Sequence, residues 1–430
     1  MTNNPAERIQ SIDPPLTNII GELREYARRH PEARAVRAAL GGILEGLVEK
    51  ILAGRVLEPE HELTIALLEE LATLFPDSPT PLLHLSKIFI DGGSYEAALK
   101  YAEAGLAVNP DHADLAFNRA LSLQEMGKPD AAIEGFKRYL ELNPDNPWAY
   151  NNIGDAYRHL KLYDQAENYL KLAIERDRRF IPAYYNLAML YMDQQDWERC
   201  AYYAQIAERV DPLNKEVQLA LGDAFMGLRE HPSALQHLVN ATLIDRDFVE
   251  AYETMSSAYV ELGMYELSIA AAQEAMKLKP DSWMALANAG YSYAKQGRFA
   301  EAVKYQQEAL QRDSDDEGQY KLCWDLGWNY LQIDRYSEAL EYAEKAMRMR
   351  EFPDIALPLN KGLALLMQGK SREANAVFDE VVKRAAIPEN YRALLQAIRD
   401  IKDYISRKGV QVEKGSPLFK LLEGQPQAPS

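Results

Sequence analysis

Residues 151–157 read NNIGDAY and, 34 positions further on, residues 185–191 read YNLAMLY, so that Asn186 takes the place of Asn152. The same step backwards lands on Asn118 in FNRALSL, and three steps forward from Asn186 land on Asn288 in ANAGYSY. A constant period constrains folding more than any other property of the chain. Each copy must bury the same surface against the same neighbouring surface, so the molecule grows by stacking rather than around one centre. Aligned on the Asn, units 79–112, 113–146, 147–180, 181–214, 215–248, 249–282 and 283–316 follow one another without a gap. Two more, 320–353 and 355–388, come after an insertion at Glu317-Gly318-Gln319. Length alone, at 430 residues, would suggest two or three globular domains, and the repeat overrides that count.

Within a unit, apolar residues recur at helical spacing, a break follows, and a second helical stretch ends near an Asn-Pro or Asp-Pro, which predicts a helical hairpin. The eighth position is always small: Ser86, Ala120, Gly154, Ala188, Gly222, Ser256, Gly290, Gly327 and Gly362. So is the twentieth: Ala98, Ala132, Ala166, Cys200, Ala234, Ser268, Ala302, Ala339 and Ala374. Small side chains at these places allow the two helices of a hairpin to approach closely while larger neighbours interlock around them. Tyr95, Tyr163, Trp197, Tyr265, Phe299 and Tyr336 form a further, aromatic column.

This pattern, as in WAYNNIGDAYRHLKLYDQAENYLKLAIERD, resembles the tetratricopeptide repeat family over residues 79–388. The resemblance implies an all-α, right-handed superhelical solenoid of stacked helix-turn-helix hairpins. Residues 45–78 read as a degenerate further unit with Thr64 in the small column, and 1–44 and 389–406 as helices capping the two ends. The polar, Pro- and Gly-rich stretch 407–430, interrupted by PLFKLLEG, reads as a disordered tail whose apolar cluster could dock in a groove.

In this family the first helix of each hairpin lines a concave groove, and an Asn just before the small column points into it. Here that column runs His84, Asn118, Asn152, Asn186, Ala220, Thr254, Asn288, Asp325 and Asn360. An amide both donates and accepts, so a ladder of Asn can hold an extended backbone whatever side chains it carries. The expected contacts are Asn118, Asn152, Asn186 and Asn288, joined by Trp148, Asp155, Arg158, Tyr185, Met189, Tyr291, Trp324 and Trp328 at neighbouring groove positions. Ala220 offers no hydrogen bond. The main partner segment is therefore expected against 113–214, with Asn288, Tyr291, Trp324 and Trp328 as a weaker second zone. Packing between adjacent first helices is the alternative reading of the Asn column. No unit pairs a basic residue before that column with an Asn three places after it, so the clamp by which some members of the family hold chaperone carboxy-termini is not expected.

Charge narrows the partner. With 48 basic and 65 acidic residues the net charge is -17, which repels phosphate backbones and anionic membrane and favours a neutral or basic, extended protein segment. No apolar run reaches the length of a membrane span, and no secretory leader is legible at the start, so a cytoplasmic protein is expected. Two cysteines make neither a disulfide framework nor a zinc site.

Two motifs imitate other chemistry. ALLMQGKS at 364–371 matches a relaxed phosphate-loop pattern, but Gly369 falls at the turn that every hairpin has. DSDDEG at 313–318 starts like a calcium loop, yet Trp324 stands where the bidentate Glu is required. No catalytic residue, cofactor or metal is expected. The sequence thus reads as a peptide- or protein-binding scaffold, with a self-assembling structural scaffold as the alternative and a regulatory subunit of an enzyme complex as a more distant one.

Overall fold

The structure is a computed structural model that describes residues 14–30, 34–52, 61–312, 315–350, 356–384 and 391–423. Every regular element among the described residues is a helix. The chain forms two compact units, 1–210 and 211–430.

The N-terminal unit opens with α1 (Pro14–Arg29), α2 (Arg34–Leu52) and α3 (His61–Leu74). Four hairpins follow: α4 (Thr80–Asp91) with α5 (Tyr95–Val108), α6 (Ala113–Glu125) with α7 (Pro129–Leu142), α8 (Pro147–His159) with α9 (Tyr163–Arg176), and α10 (Ile181–Asp193) with α11 (Trp197–Val210). The C-terminal unit holds five hairpins: α12 (Lys215–Gly227) with α13 (His231–Ile244), α14 (Val249–Glu261) with α15 (Tyr265–Leu278), α16 (Trp283–Lys295) with α17 (Phe299–Leu310), α18 (Asp316–Gln332) with α19 (Tyr336–Met349), and α20 (Ala356–Met367) with α21 (Ser371–Arg384). Two further helices, α22 (Tyr391–Lys408) and α23 (Pro417–Glu423), complete it.

Three sequence columns explain the hairpins. The eighth and twentieth positions are buried in all nine. At Gly154, Gly222, Gly290 and Gly362 an added Cβ would come within 2.4–2.6 Å of Leu170, Leu238, Gln306 or Phe378, each from the paired second helix, so only glycine permits that approach. The aromatic column supplies the first residue of α5, α9, α11, α15, α17 and α19. The turn itself is set by geometry: the fifteenth position always has positive φ, as Gly93, Gly127, Lys161, Gln195, Arg229, Gly263, Gly297, Asp334 and Gly369. Gly369 of the GKS-like stretch is therefore one hairpin turn among nine, at φ 80°. A column that the sequence reading passed over also recurs. Residues 11 and 23 of a unit stack their rings, as in Phe89–Tyr101, Tyr191–Tyr203, Tyr293–Tyr305 and Tyr330–Tyr342 at 5.2–5.5 Å.

Four expectations need correction. The degenerate unit keeps its second helix, α3, with Thr64 buried, but its first helix begins at Arg34 instead of near 45. The insertion at Glu317-Gly318-Gln319, which the unit boundaries set between two hairpins, forms the opening turn of the 17-residue α18, where Asp315 accepts the Gly318 amide at 2.7 Å. Asp313 and Ser314 of the calcium-like stretch lie outside the described residues. The C-terminal capping helix runs Tyr391–Lys408. The tail is not disordered as far as Glu423: α23 packs on α21, with Leu418 2% and Leu421 6% exposed in a core that includes Phe378 and Val381. Its apolar cluster closes the end of the stack instead of entering a groove, and residues 424–430 lie outside the described residues.

Candidate peptide-binding surface

First helices carry the Asn column, and in the N-terminal unit they line a hollow of about 780 Å³. Its floor is apolar, from Leu83 of α4 and Phe117 and Leu121 of α6, with Trp148 of α8 at one end. Asn118 and Asn152 stand in the middle beside His84. Asp114 lies in the first turn of α6, as Trp148 does in α8, and Lys87, Ile90 and Asp91 lie toward the C-terminal end of α4. Local sequence explains this placement. Positions 2, 5, 6 and 9 of a unit are spaced three and four residues apart, so they share one stripe of a helix.

Trp148 is 51% exposed, large for an indole, and packs edge-on to Phe180 with ring centroids 4.9 Å apart. The N-cap Asn146 accepts the Trp148 amide at 2.9 Å and donates to the Tyr139 hydroxyl at 2.6 Å, which fixes where α8 begins. Burial, with Lys87 adding its charge, holds the His84 imidazole below its usual pKa and so favours the neutral ring.

The Asn side chains are partly engaged by the fold. Asn118 Nδ2 donates to Ser86 Oγ at 2.8 Å and Asn186 Nδ2 donates to Asn151 Oδ1 at 2.9 Å, both on the preceding first helix. Asn152 Oδ1 accepts from Asn151 Nδ2 at 3.3 Å. In the C-terminal unit Asn288 Nδ2 donates to Ser257 Oγ at 2.8 Å and Thr254 Oγ1 to Asp223 Oδ1 at 3.2 Å. The column thus stitches consecutive first helices together. An amide nitrogen has two hydrogens and its oxygen two lone pairs, so one such bond leaves capacity toward the open face.

Other expected contacts separate by role. Asp155 and Arg158 belong to a polar chain across three first helices. Gln124 Nε2 donates to Asp155 at 3.1 Å, and Arg158 donates to Asp155 at 3.0 Å and to Asp193 at 2.8 Å. With both side chains under 20% exposed, this pair braces neighbouring repeats. Tyr185 and Met189 are half-buried on α10 and do not line the hollow. The hollow lies against the units beginning at 79, 113 and 147 and overlaps the expected 113–214 in two of them.

In the C-terminal unit, Tyr404 of α22 lies over Trp328, with ring centroids 6.2 Å apart, and donates to the Leu331 carbonyl at 3.4 Å. Arg407 donates to Gln332 Oε1 at 3.0 Å. Trp328 is thereby partly buried, with α22 packed against it. Trp324 is half-buried beside Tyr320, and Tyr291 lies under the Lys295 ammonium at 4.9 Å. Two carboxyls on this face are perturbed. Burial pushes Asp223 up to about 6 against the hydrogen bond from Thr254, and pushes Asp325 up to about 7 against Lys295 and Lys321. Among the described residues no group of His, Cys, Asp and Glu is arranged to hold a metal ion, and no helix is long and apolar enough to cross a membrane.

Sequence reasoning reached Asn118, Asn152 and Trp148 and placed His84 in the groove-facing column, but missed Leu83, Lys87, Phe117 and Leu121 as a surface. Leu83, Phe117 and Leu121 look like core residues at helical spacing. Only the absence of a facing helix leaves them open.

Models described as tetratricopeptide repeat match residues 85–151, 123–190, 185–246, 249–282, 283–351 and 359–397. BBSome complex member BBS4 of Bos taurus is 23% identical over 365 residues, covering 77% of this chain and 69% of that protein. DnaJ homolog subfamily C member 3 of Mus musculus is 25% identical over 206 residues, 48% of this chain. The chain spans 37% of that mouse relative's length and 48% of a Schizosaccharomyces pombe DnaJ homolog subfamily C member 7 homolog. Among solved structures, MamA matches at 25% identity and a TM-score of 0.36 over 38% of this chain and 90% of its own. A tetratricopeptide repeat protein from Parabacteroides merdae matches at 17% identity and a TM-score of 0.45, over 59% of this chain and 98% of its own.

Proposed function

Because this chain belongs to the tetratricopeptide repeat family and its repeats make it a protein-interaction scaffold, we propose that it works by holding an extended partner segment on the first-helix face of its N-terminal unit. The observation that carries this reading is the 780 Å³ hollow, where an apolar floor is combined with the half-buried amides of Asn118 and Asn152. Apolar side chains of the partner would be buried against Leu83, Phe117, Leu121 and Trp148, which provides affinity. The amides would pair with its backbone and set its register. Asn186 extends the same column within the N-terminal unit, with Tyr185 and Met189 as outlying contacts, and Asn288, Tyr291 and Trp324 form a separate, weaker zone on the C-terminal unit. No catalytic step is part of this function, and two buried free cysteines fit a reducing cytoplasm.

Affinity capture from native lysate, comparing the full chain with its Leu121→Glu variant, tests the reading. The captured segment is then titrated directly into both proteins. We expect binding to fall by at least tenfold in the variant while its circular dichroism is unchanged. Equal binding by both folded proteins would overturn the reading.

A further inference from the structure

The hollow is not uniform in charge. At one end Lys87 and Asp91, of opposite charge, lie four residues apart on α4, one turn from each other. At the other end Asp114 has no basic side chain bound to it among the described residues, and the exposed indole of Trp148 lines the same space. Asp114 and Trp148 are the second residues of consecutive units, on consecutive first helices. Helices packed side by side lie about 8–10 Å apart. That interval admits a planar cation between a carboxylate and a ring.

We infer that Asp114 and Trp148 form a recognition site for an arginine side chain of the bound segment, with the guanidinium stacked on the indole and paired to the carboxylate. This assignment rests on the hollow being the partner site proposed above. Guanidinium suits both surfaces at once, because it is planar, weakly hydrated for a cation, and presents paired donors to a carboxylate while its face lies on an aromatic ring. The edge-on contact with Phe180 holds the Trp148 ring while leaving it open to solvent. The net charge of -17 adds attraction for a basic segment during approach. The spacing follows from the helix. Leu121, at the centre of the apolar floor, is seven residues from Asp114 on α6, about 10 Å along the axis, which about three extended residues span. The partner motif is therefore a bulky apolar residue three positions from an Arg.

Three synthetic peptides test this on the full-length chain by isothermal titration: acetyl-Ser-Phe-Ala-Ala-X-Ser-amide, with X as Arg, citrulline or Glu. Citrulline keeps the shape of Arg and removes its charge. We expect the Arg peptide to bind at least tenfold tighter than the citrulline peptide. That ratio should fall toward one in Asp114→Asn and in Trp148→Leu, with the citrulline peptide binding Asp114→Asn as it binds the unaltered chain. Equal binding of the Arg and citrulline peptides would overturn the cation site while leaving the hollow as the partner site. Preference for the Glu peptide, directed by Lys87, would also overturn it. Binding of none of the three would overturn both proposals. Circular dichroism of each variant separates loss of the site from loss of fold.

Discussion

The first-helix faces of the two units are built from one repeat and end in opposite states. In the N-terminal unit, Leu83, Phe117, Leu121 and Trp148 remain open around Asn118 and Asn152. In the C-terminal unit the corresponding column passes through Ala220, only 2% exposed, and Trp328 lies under Tyr404 of the chain's own α22. A repeat therefore supplies a surface, and what lies against it decides whether that surface binds or packs. The C-terminal unit uses its surface to seat its end. The N-terminal unit keeps its surface available.

The largest effect should come from removing the cover. Tyr404 is fully buried, and Tyr404→Ala should cost about 3–5 kcal/mol of the C-terminal unit's stability. Hydrogen exchange should show lost protection over 391–423 and around Trp328, with the hairpins of the N-terminal unit unchanged. Protection lost equally in both units would break the comparison.

A smaller effect, of opposite sign in the two units, is expected at the eighth position. In Gly154→Ala the new Cβ would stand 2.6 Å from Leu170 Cγ and 3.1 Å from the Ala166 carbonyl oxygen, so about 1–3 kcal/mol should be lost to overpacking. At Gly327 the nearest atom is the Ala343 nitrogen at 3.4 Å, an ordinary contact. Gly327→Ala should gain up to about 1 kcal/mol from helix propensity. Urea unfolding of the two variants measures both signs.

Next comes the Asn column. Asn186→Ala removes the bond to Asn151 and should lower stability by about 1 kcal/mol without weakening a segment bound in the hollow. Asn152→Ala should act the other way, weakening that segment by roughly fivefold for one lost hydrogen bond of about 1 kcal/mol with little change in stability. Equal behaviour of the two variants would return the column to packing alone.

A further effect is on pH dependence. Asp223 and Asp325 have folded pKa values of about 6 and 7, raised by burial. The folded state binds their protons more tightly, so their contribution is full below about pH 4, the unfolded value, and is lost as pH rises through 6 and 7. His84 is lowered, chiefly by burial, so its contribution runs the other way and is lost as pH falls below about 6.5. Mild acid should strengthen the C-terminal unit and weaken the N-terminal one. Urea midpoints between pH 5 and 8 should flatten for Asp325→Asn and steepen in favour of acid for His84→Gln. The same slope in both variants would contradict these assignments.

Sequence by itself determined the hairpins. A 34-residue period with small residues at positions 8 and 20 has few packings open to it, because Gly154 or Ala166 matters through contacts within its own unit or the next. Local chemistry also placed the turns, although Lys161, Gln195, Arg229 and Asp334 take a positive φ that glycine takes more readily. Contacts that no period encodes were left to the tertiary structure. Arg158 could have faced a ligand, and only the arrival of Gln124 and Asp193 from the neighbouring first helices made its local pair with Asp155 a brace. Trp328 and Trp148 look equally open in sequence, and they differ because a helix more than sixty residues further along the chain returns to cover one of them. PLFKLLEG carried no sign of its destination, since a short apolar cluster is satisfied by any complementary surface, and the nearest was the exposed side of α21. Repetition fixes near neighbours because they are the same in every copy. The ends of the stack and the open faces depend on unique, distant contacts, and those exist only once the chain has folded.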